Sequence, residues 1–235
     1  MLLFFDNLNK IIYIMAPKCG TTTISNFLGV CLHHKYNEEE INNLNNPEYK
    51  KIIIIRQNIC DRFLSGFYED LFNNTCYDNI NITFDNYLNF LYYCFKNKIP
   101  NVNNTKVFNN LDIPIWFGNC SIVSLNITDE NGYYCSHIMS QKYAISHIIN
   151  QIYCKNVFLI DINKLSSILQ DSTQMCNVKQ KNIYNISEIP LSQIKFNKMI
   201  ISEISLNEIQ KKQILEIFDE DIIFINELKN KYVFI

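Results

Sequence analysis

The sequence predicts an α/β fold: a central parallel sheet covered by helices on both faces, three layers in all. Three segments carry that expectation, and in each an apolar run hands over to a helical pattern. Ile11–Met15 is a short apolar run, and after a tight loop Ile24, Phe27, Leu28, Cys31 and Leu32 recur at the i, i+3, i+4, i+7 spacing of a helix face. Ile52–Ile55 is a run of isoleucines, β-branched and apolar without alternation, as in a strand buried on both sides; Phe63, Leu64, Phe67, Tyr68 and Leu71 follow at helical spacing. Val157–Ile160 is the third strand candidate, ending at Asp161, and Ile162 to Leu169 turns back into a helix. Strands that alternate with helices pair in parallel through crossovers, which puts helices on both faces of the sheet.

At 235 residues the chain is long enough for one sizeable domain, and without an internal repeat or a convincing linker residues 1–235 read as a single unit. Hydrophobic residues make up 48%, enough for a core, and the formal charge of −2 argues against a protein that coats nucleic acid. Isoleucine and asparagine are heavily used beside only 5 Gly and 5 Pro. Such a bias strips meaning from Asn-rich patches and from N-x-[ST] triplets such as Asn73-Asn74-Thr75 and Asn81-Ile82-Thr83. No segment reaches the roughly 18 apolar residues of a transmembrane helix. Met1–Phe5 is too short and too soon followed by Asp6 for a signal peptide, so the expectation is a soluble, cytoplasmic protein. The 9 cysteines form no C-x-x-C pair and read as reduced, mostly buried thiols, with a disulfide among Cys120, Cys135, Cys154 and Cys176 left open.

Between the main segments the signals are weaker. His33 and His34 follow the first helix; Glu38–Glu40 suits the start of a short helix, where carboxylates are favoured, and 42–50 is polar and irregular. Residues 73–82 read as a loop, and Phe84, Tyr87, Leu88, Leu91 and Tyr92 as a helix with Asp85 in its first turn. The stretch 97–135 lacks periodicity, is punctuated by Pro100, Pro114, Gly118 and Gly132, and holds the only tryptophan, Trp116; long irregular loops of this kind suit substrate recognition. Residues 137–153 are helix-like. Ser205-Leu206-Asn207-Glu208 fits a capping box, ahead of Ile209, Leu215, Phe218, Ile222, Ile225 and Leu228 along a long, interrupted helix.

The chemistry concentrates where the first strand meets its helix, at Pro17-Lys18-Cys19-Gly20-Thr21-Thr22-Thr23. Pro17 stops the strand and Gly20 relaxes the loop. Backbone N–H groups at a helix N-terminus are unpaired and sit at the positive end of the dipole. Lys18 adds a full charge and Thr21, Thr22 and Thr23 add hydroxyls, so the stretch is an anion cradle suited to phosphate. The nucleoside-triphosphatase pattern G-x-x-x-x-G-K-[ST] does not fit, because Lys18 precedes Gly20. Pro-Lys-x-Gly-Thr-Thr instead resembles the 5′-phosphosulfate loop of sulfotransferases that use 3′-phosphoadenosine-5′-phosphosulfate (PAPS).

The segment from Ile52 to Tyr68 resembles the 3′-phosphate segment of the same family, an apolar strand followed by Arg-Asp/Asn-Pro-x-x-Arg-x-x-Ser-x-Tyr/Phe. Carried over, Arg56 and Ser65 hold the 3′-phosphate, a role that a rigid guanidinium fork at a strand end suits. The family proline is missing, with Asn58-Ile59 in its place, and Arg56 lies one residue further from Ser65 than is usual, which leaves Arg62 as an alternative. Thr83-Phe84-Asp85-Asn86-Tyr87, His137-Ile138-Met139-Ser140-Gln141 and Phe158-Leu159-Ile160-Asp161 are similar to stretches of the carbohydrate branch, the heparan and chondroitin type, and extend the likeness over roughly residues 10–170.

The resemblance implies a P-loop-like α/β fold and transfer of a sulfuryl group from PAPS to an acceptor hydroxyl, with a carbohydrate as the favoured acceptor and no metal. Lys18 would stabilise the leaving phosphate, and Lys18, Cys19, Gly20, Thr21, Thr22 and Thr23 would hold the 5′ end of PAPS. For the general base the resemblance points between the two phosphate segments, to His34 and His33 first, with His137 as an alternative; a helix end favoured by the dipole is the plain reading of the histidine pair. Two competing readings stay open: an atypical P-loop kinase with Asp161 as a magnesium ligand, and a nucleotide-binding or interaction module of the same fold without a working base.

Overall fold

The structure, a computed structural model, describes residues 2–30, 42–73, 83–97, 105–108, 111–114, 140–165, 169 and 205–235. In chain order the elements are β1 (Leu2–Asp6), β2 (Ile11–Met15), α1 (Thr21–Leu28), β3 (Lys50–Ile55), α2 (Ile59–Asn73), α3 (Phe84–Lys96), β4 (Thr105–Phe108), β5 (Leu111–Pro114), α4 (Gln141–Ile149), β6 (Val157–Asp161), α5 (Glu208–Ile217), α6 (Asp219–Lys231) and β7 (Val233–Phe234), with 3₁₀ turns at Asn43–Asn45 and Ile162–Lys164. They fall into two compact units, one of Met1–Asn58, Ser140–Cys176 and Glu220–Ile235, the other of Ile59–Met139 and Asn177–Asp219. Among the described residues no helix is long and apolar enough to cross a membrane.

The first unit is α/β. Its five-stranded sheet runs β1-β2-β3-β6-β7, with β1 antiparallel to β2 and every other pair parallel. The three strands read from the sequence form its centre, in a register that sets Tyr13 against Ile52 and Ile52 against Phe158. Successive residues Ile12, Tyr13, Ile14 and Met15 of β2 and Ile52 to Ile55 of β3 are all buried, so both faces are covered, as the unbroken apolar runs require. Helix α1 packs on β1 and α4 on β2. The edge strands carried no such signal. β1 is held by a tight turn in which Asp6 accepts hydrogen bonds from the backbone N–H of Asn9 (2.9 Å) and its side-chain amide (2.8 Å), with Lys10 at φ 55°. β7 spans two residues, and the N–H of Ile235 beyond it donates to the carbonyl of Leu159 at 3.0 Å.

Two boundaries differ from the sequence expectation. α1 ends at Leu28; Cys31 and Leu32, the end of the expected stripe, lie outside the described residues. Gly29, at φ 65°, closes α1 with its N–H directed to the carbonyls of Ser25 and Asn26, a left-handed cap that glycine adopts at no steric cost. α4 starts at Gln141, capped by the Ser140 hydroxyl, which accepts from the N–H of Tyr143 at 3.2 Å. Cys154 is a free thiol; Cys120, Cys135 and Cys176 lie outside the described residues.

The second unit holds α2, α3, α5 and the antiparallel hairpin β4–β5, which sits within the stretch read as irregular loops. Its centre is aromatic. Phe67 meets Phe84 and Tyr87, each at 5.1 Å between ring centroids, and Phe63 meets Phe218 at 6.1 Å. The capping box forms two residues later than expected: Asn207 accepts from the N–H of Gln210 (2.9 Å), and the Gln210 side chain accepts from the N–H of Asn207 (2.8 Å). That shift turns Ile209, 72% exposed, and Leu215 outward and buries Ile214 and Ile217 beside the expected Phe218.

One buried group gives the sheet a pH signature. Burial, with the negative Asp6 nearby adding to it, pushes the Tyr13 phenol up to about 12. The unfolded chain therefore releases this proton at lower pH than the native chain does. The stability tied to it is whole below about pH 10 and is lost as pH rises towards 12, by on the order of 2 kcal/mol. Urea unfolding of wild type and Tyr13→Phe, compared at about pH 9 and about pH 11.5, is expected to show the variant losing less stability over that interval.

Candidate functional site

The loop between β2 and α1 holds two of the four positive-φ positions among the described residues, Lys18 and Gly20. The N–H of Cys19 donates to the carbonyl of Ala16 at 3.2 Å, closing a turn that passes through Lys18 at φ 64°, and Gly20 follows it at φ 92°. Gly20 is the N-cap of α1, whose helical bonding starts with the N–H of Ile24 donating to its carbonyl at 3.0 Å. A glycine cap places no side chain over the first-turn amides, and that turn holds no acidic residue. The three threonines occupy this turn, Thr22 exposed, Thr21 and Thr23 half-buried; Lys18 is half-buried beside them in sequence, and Cys19 is buried. Open amides at the positive end of a helix, with hydroxyls and an ammonium in the same loop, make a site that can hold a phosphate-like anion.

Gly20 is favoured at this position for two reasons. Its φ of 92° is costly for any residue with a Cβ, and a Cβ built there lies 2.7 Å from Cδ2 of the buried Leu165. Gly20→Ala is expected to cost about 1–2 kcal/mol from the backbone alone, with the Leu165 clash adding to it; the urea midpoint falls while the slope of the transition stays unchanged.

The second element is the end of β3. Arg56 leaves the sheet beside the β2 loop, since Met15 and Ile54 are partners in the parallel register. Its peptide is bracketed by the side-chain amide of Gln141, which is fully buried. Oε1 of Gln141 accepts from the N–H of Arg56 at 2.9 Å, and Nε2 donates to the Arg56 carbonyl at 3.0 Å. The same Oε1 accepts from the Cys19 thiol at 3.2 Å, so one oxygen joins the β2 loop to the β3 end. Asp221 on α6 holds Gln141 in turn. Its buried carboxylate accepts from the N–H of Gln141 (2.9 Å), the N–H of Lys142 (2.8 Å) and the Ser140 hydroxyl (2.6 Å). At the end of β6, Asp161 accepts from the N–H of Gln57 at 3.0 Å through one oxygen and from that of Asn163 at 2.9 Å through the other. The C-terminal ends of β2, β3 and β6 are thus laced together, at the edge of a parallel sheet where ligands bind.

Of the residues singled out in the sequence, the structure brings Lys18, Cys19, Gly20, Thr21, Thr22, Thr23 and Arg56 into one unit, at one sheet edge. Ser65 lies on α2 in the second unit and is half-buried there; Arg62 of the same helix is 1% exposed, whereas Arg56 is half-buried. His33, His34, Glu38–Glu40 and His137 lie outside the described residues. Both oxygens of Asp161, the acid named for a magnesium site, are occupied by backbone amides.

Two residues were passed over as site components. Gln141 stood in the sequence only as the end of a His-x-x-x-Gln stretch, and Asp221 not at all. The signal for Asp221 was its place in an apolar stripe, between Phe218 and Phe224, where an acid is costly unless hydrogen-bonded. The chain matches no family model, no curated protein and no solved structure.

Proposed function

We propose that the chain is a PAPS-dependent sulfotransferase of P-loop-like fold, acting on an acceptor hydroxyl that is best read as a carbohydrate's. The observation that carries the reading is the β2–α1 loop: an uncapped helix start with Lys18 and Gly20 at positive φ and three threonines in the first turn. Arg56 at the end of the neighbouring strand supports it, because a donor with phosphates at both ends of its nucleoside needs a second cationic group beside the first.

In this reading the first-turn amides and the Thr21 and Thr22 hydroxyls hold the 5′-phosphate, and Arg56 holds the 3′-phosphate. The acceptor oxygen attacks sulfur in line. A bond forms between that oxygen and sulfur as the bond from sulfur to the bridging phosphate oxygen breaks, and the electron pair leaves with 3′,5′-adenosine bisphosphate. Lys18 faces the oxygen on which that charge grows, and a base, His34 or His33, takes the acceptor proton. Positioning and charge stabilisation supply most of the catalysis, as in phosphoryl transfer.

The test is transfer of labelled sulfate from PAPS across a panel of desulfated glycosaminoglycans, simple glycosides and phenols. Labelled product with a glycan acceptor, lost in Lys18→Ala, is the expected result. Bisphosphate binding without transfer to any acceptor contradicts the activity.

A further inference from the structure

We infer that Gln141, held by Asp221, is a positioning residue that sets Arg56 against the Lys18 loop, so that discrimination for a nucleotide phosphorylated at both ends depends on a side chain that touches no ligand. The inference rests on the sulfotransferase reading and deepens it.

Three features single out this residue. Its amide pairs with both the N–H and the carbonyl of Arg56, which belong to the two peptide groups on either side of its Cα, and so holds the backbone from which the guanidinium departs. The oxygen that accepts from Arg56 also accepts from Cys19, between the Lys18 and Gly20 positions of the loop, so neither segment can shift without breaking a bond to the other's anchor. The amide is itself immobilised at its root, because Asp221 caps the start of α4 with three hydrogen bonds, one of them from the N–H of Gln141. All the groups involved are buried or half-buried, where an unpaired polar atom is costly, so the arrangement tolerates one geometry. A core-filling role would need none of this directionality.

The test measures affinity for 3′,5′-adenosine bisphosphate and for adenosine 5′-monophosphate by calorimetry in wild type, Gln141→Met, Arg56→Ala and the double variant. Asp221→Asn, which keeps one acceptor oxygen, serves as a milder second probe should Gln141→Met fold poorly. Wild type is expected to prefer the bisphosphate. Gln141→Met is expected to narrow that preference at least tenfold, Asp221→Asn to narrow it less, and Gln141→Met to have no further effect on it once Arg56 is alanine. A structural role alone predicts otherwise: both nucleotides weaken in proportion and the preference survives in Gln141→Met and Asp221→Asn, which overturns the inference while leaving the sulfotransferase reading standing. A wild type without preference for the bisphosphate overturns both.

Discussion

Lys18→Ala is expected to lower the rate of sulfuryl transfer by about 10²–10³-fold while donor affinity changes by less than about tenfold. The asymmetry follows from where charge appears. In the proposed binding mode the 5′-phosphosulfate is held before reaction by several groups at once, the first-turn amides of α1 and the threonine hydroxyls, and losing one ammonium among them weakens binding modestly. As the bond to sulfur breaks, negative charge collects on the bridging oxygen, and the group proposed to meet it is the side chain of Lys18. Its backbone at φ 64° sets the direction in which the side chain leaves the loop. Single-turnover kinetics with saturating PAPS give the rate, and calorimetry with the bisphosphate gives the affinity. A fall in affinity as large as the fall in rate would make Lys18 a binding charge only.

Arg56→Ala is expected to weaken 3′,5′-adenosine bisphosphate by roughly 10–100-fold and adenosine 5′-monophosphate hardly at all, since hydrogen bonds to a charged group contribute about 1.5–3 kcal/mol and tenfold corresponds to about 1.4 kcal/mol. The peptide of Arg56 stays bracketed by Gln141 in this variant, so the fold at the end of β3 is preserved and the loss reports the guanidinium alone. Arg62→Ala is the informative contrast. That side chain is 1% exposed, and its removal is expected to act on stability. An affinity pattern in which Arg62→Ala, and not Arg56→Ala, abolishes the preference for the bisphosphate would transfer the 3′-phosphate role to the helix.

The centre of the sheet was legible because its strands carry their own signature. Ile52–Ile55 has no polar residue to turn towards water, and only a strand covered on both faces accommodates that. The edges were not legible for the converse reason: Leu2–Asp6 needs only a partner and a turn, and Val233–Phe234 is too short to show a period. Gly29 was a visible stop that the apolar stripe beyond it obscured, since Cys31 and Leu32 fit the helical period whether or not the helix continues. The β2–α1 loop was legible as a strand-to-helix turn, because proline and glycine act on the backbone locally. Gln141 and Asp221 act on Arg56 and Cys19 from far along the chain, and no local pattern announces a hydrogen bond between residues 85 positions apart, as in Gln141 and Arg56. For a polar residue inside an apolar helix stripe, the sequence shows the need for a partner and leaves its identity to the fold.

The central claim, a site for a nucleotide with phosphates at both ends, meets its most direct test in calorimetry of the wild-type chain with 3′,5′-adenosine bisphosphate and, separately, with ATP and magnesium. Binding of the bisphosphate at least tenfold tighter than ATP is the predicted result. Tight binding of ATP with no binding of the bisphosphate would contradict it.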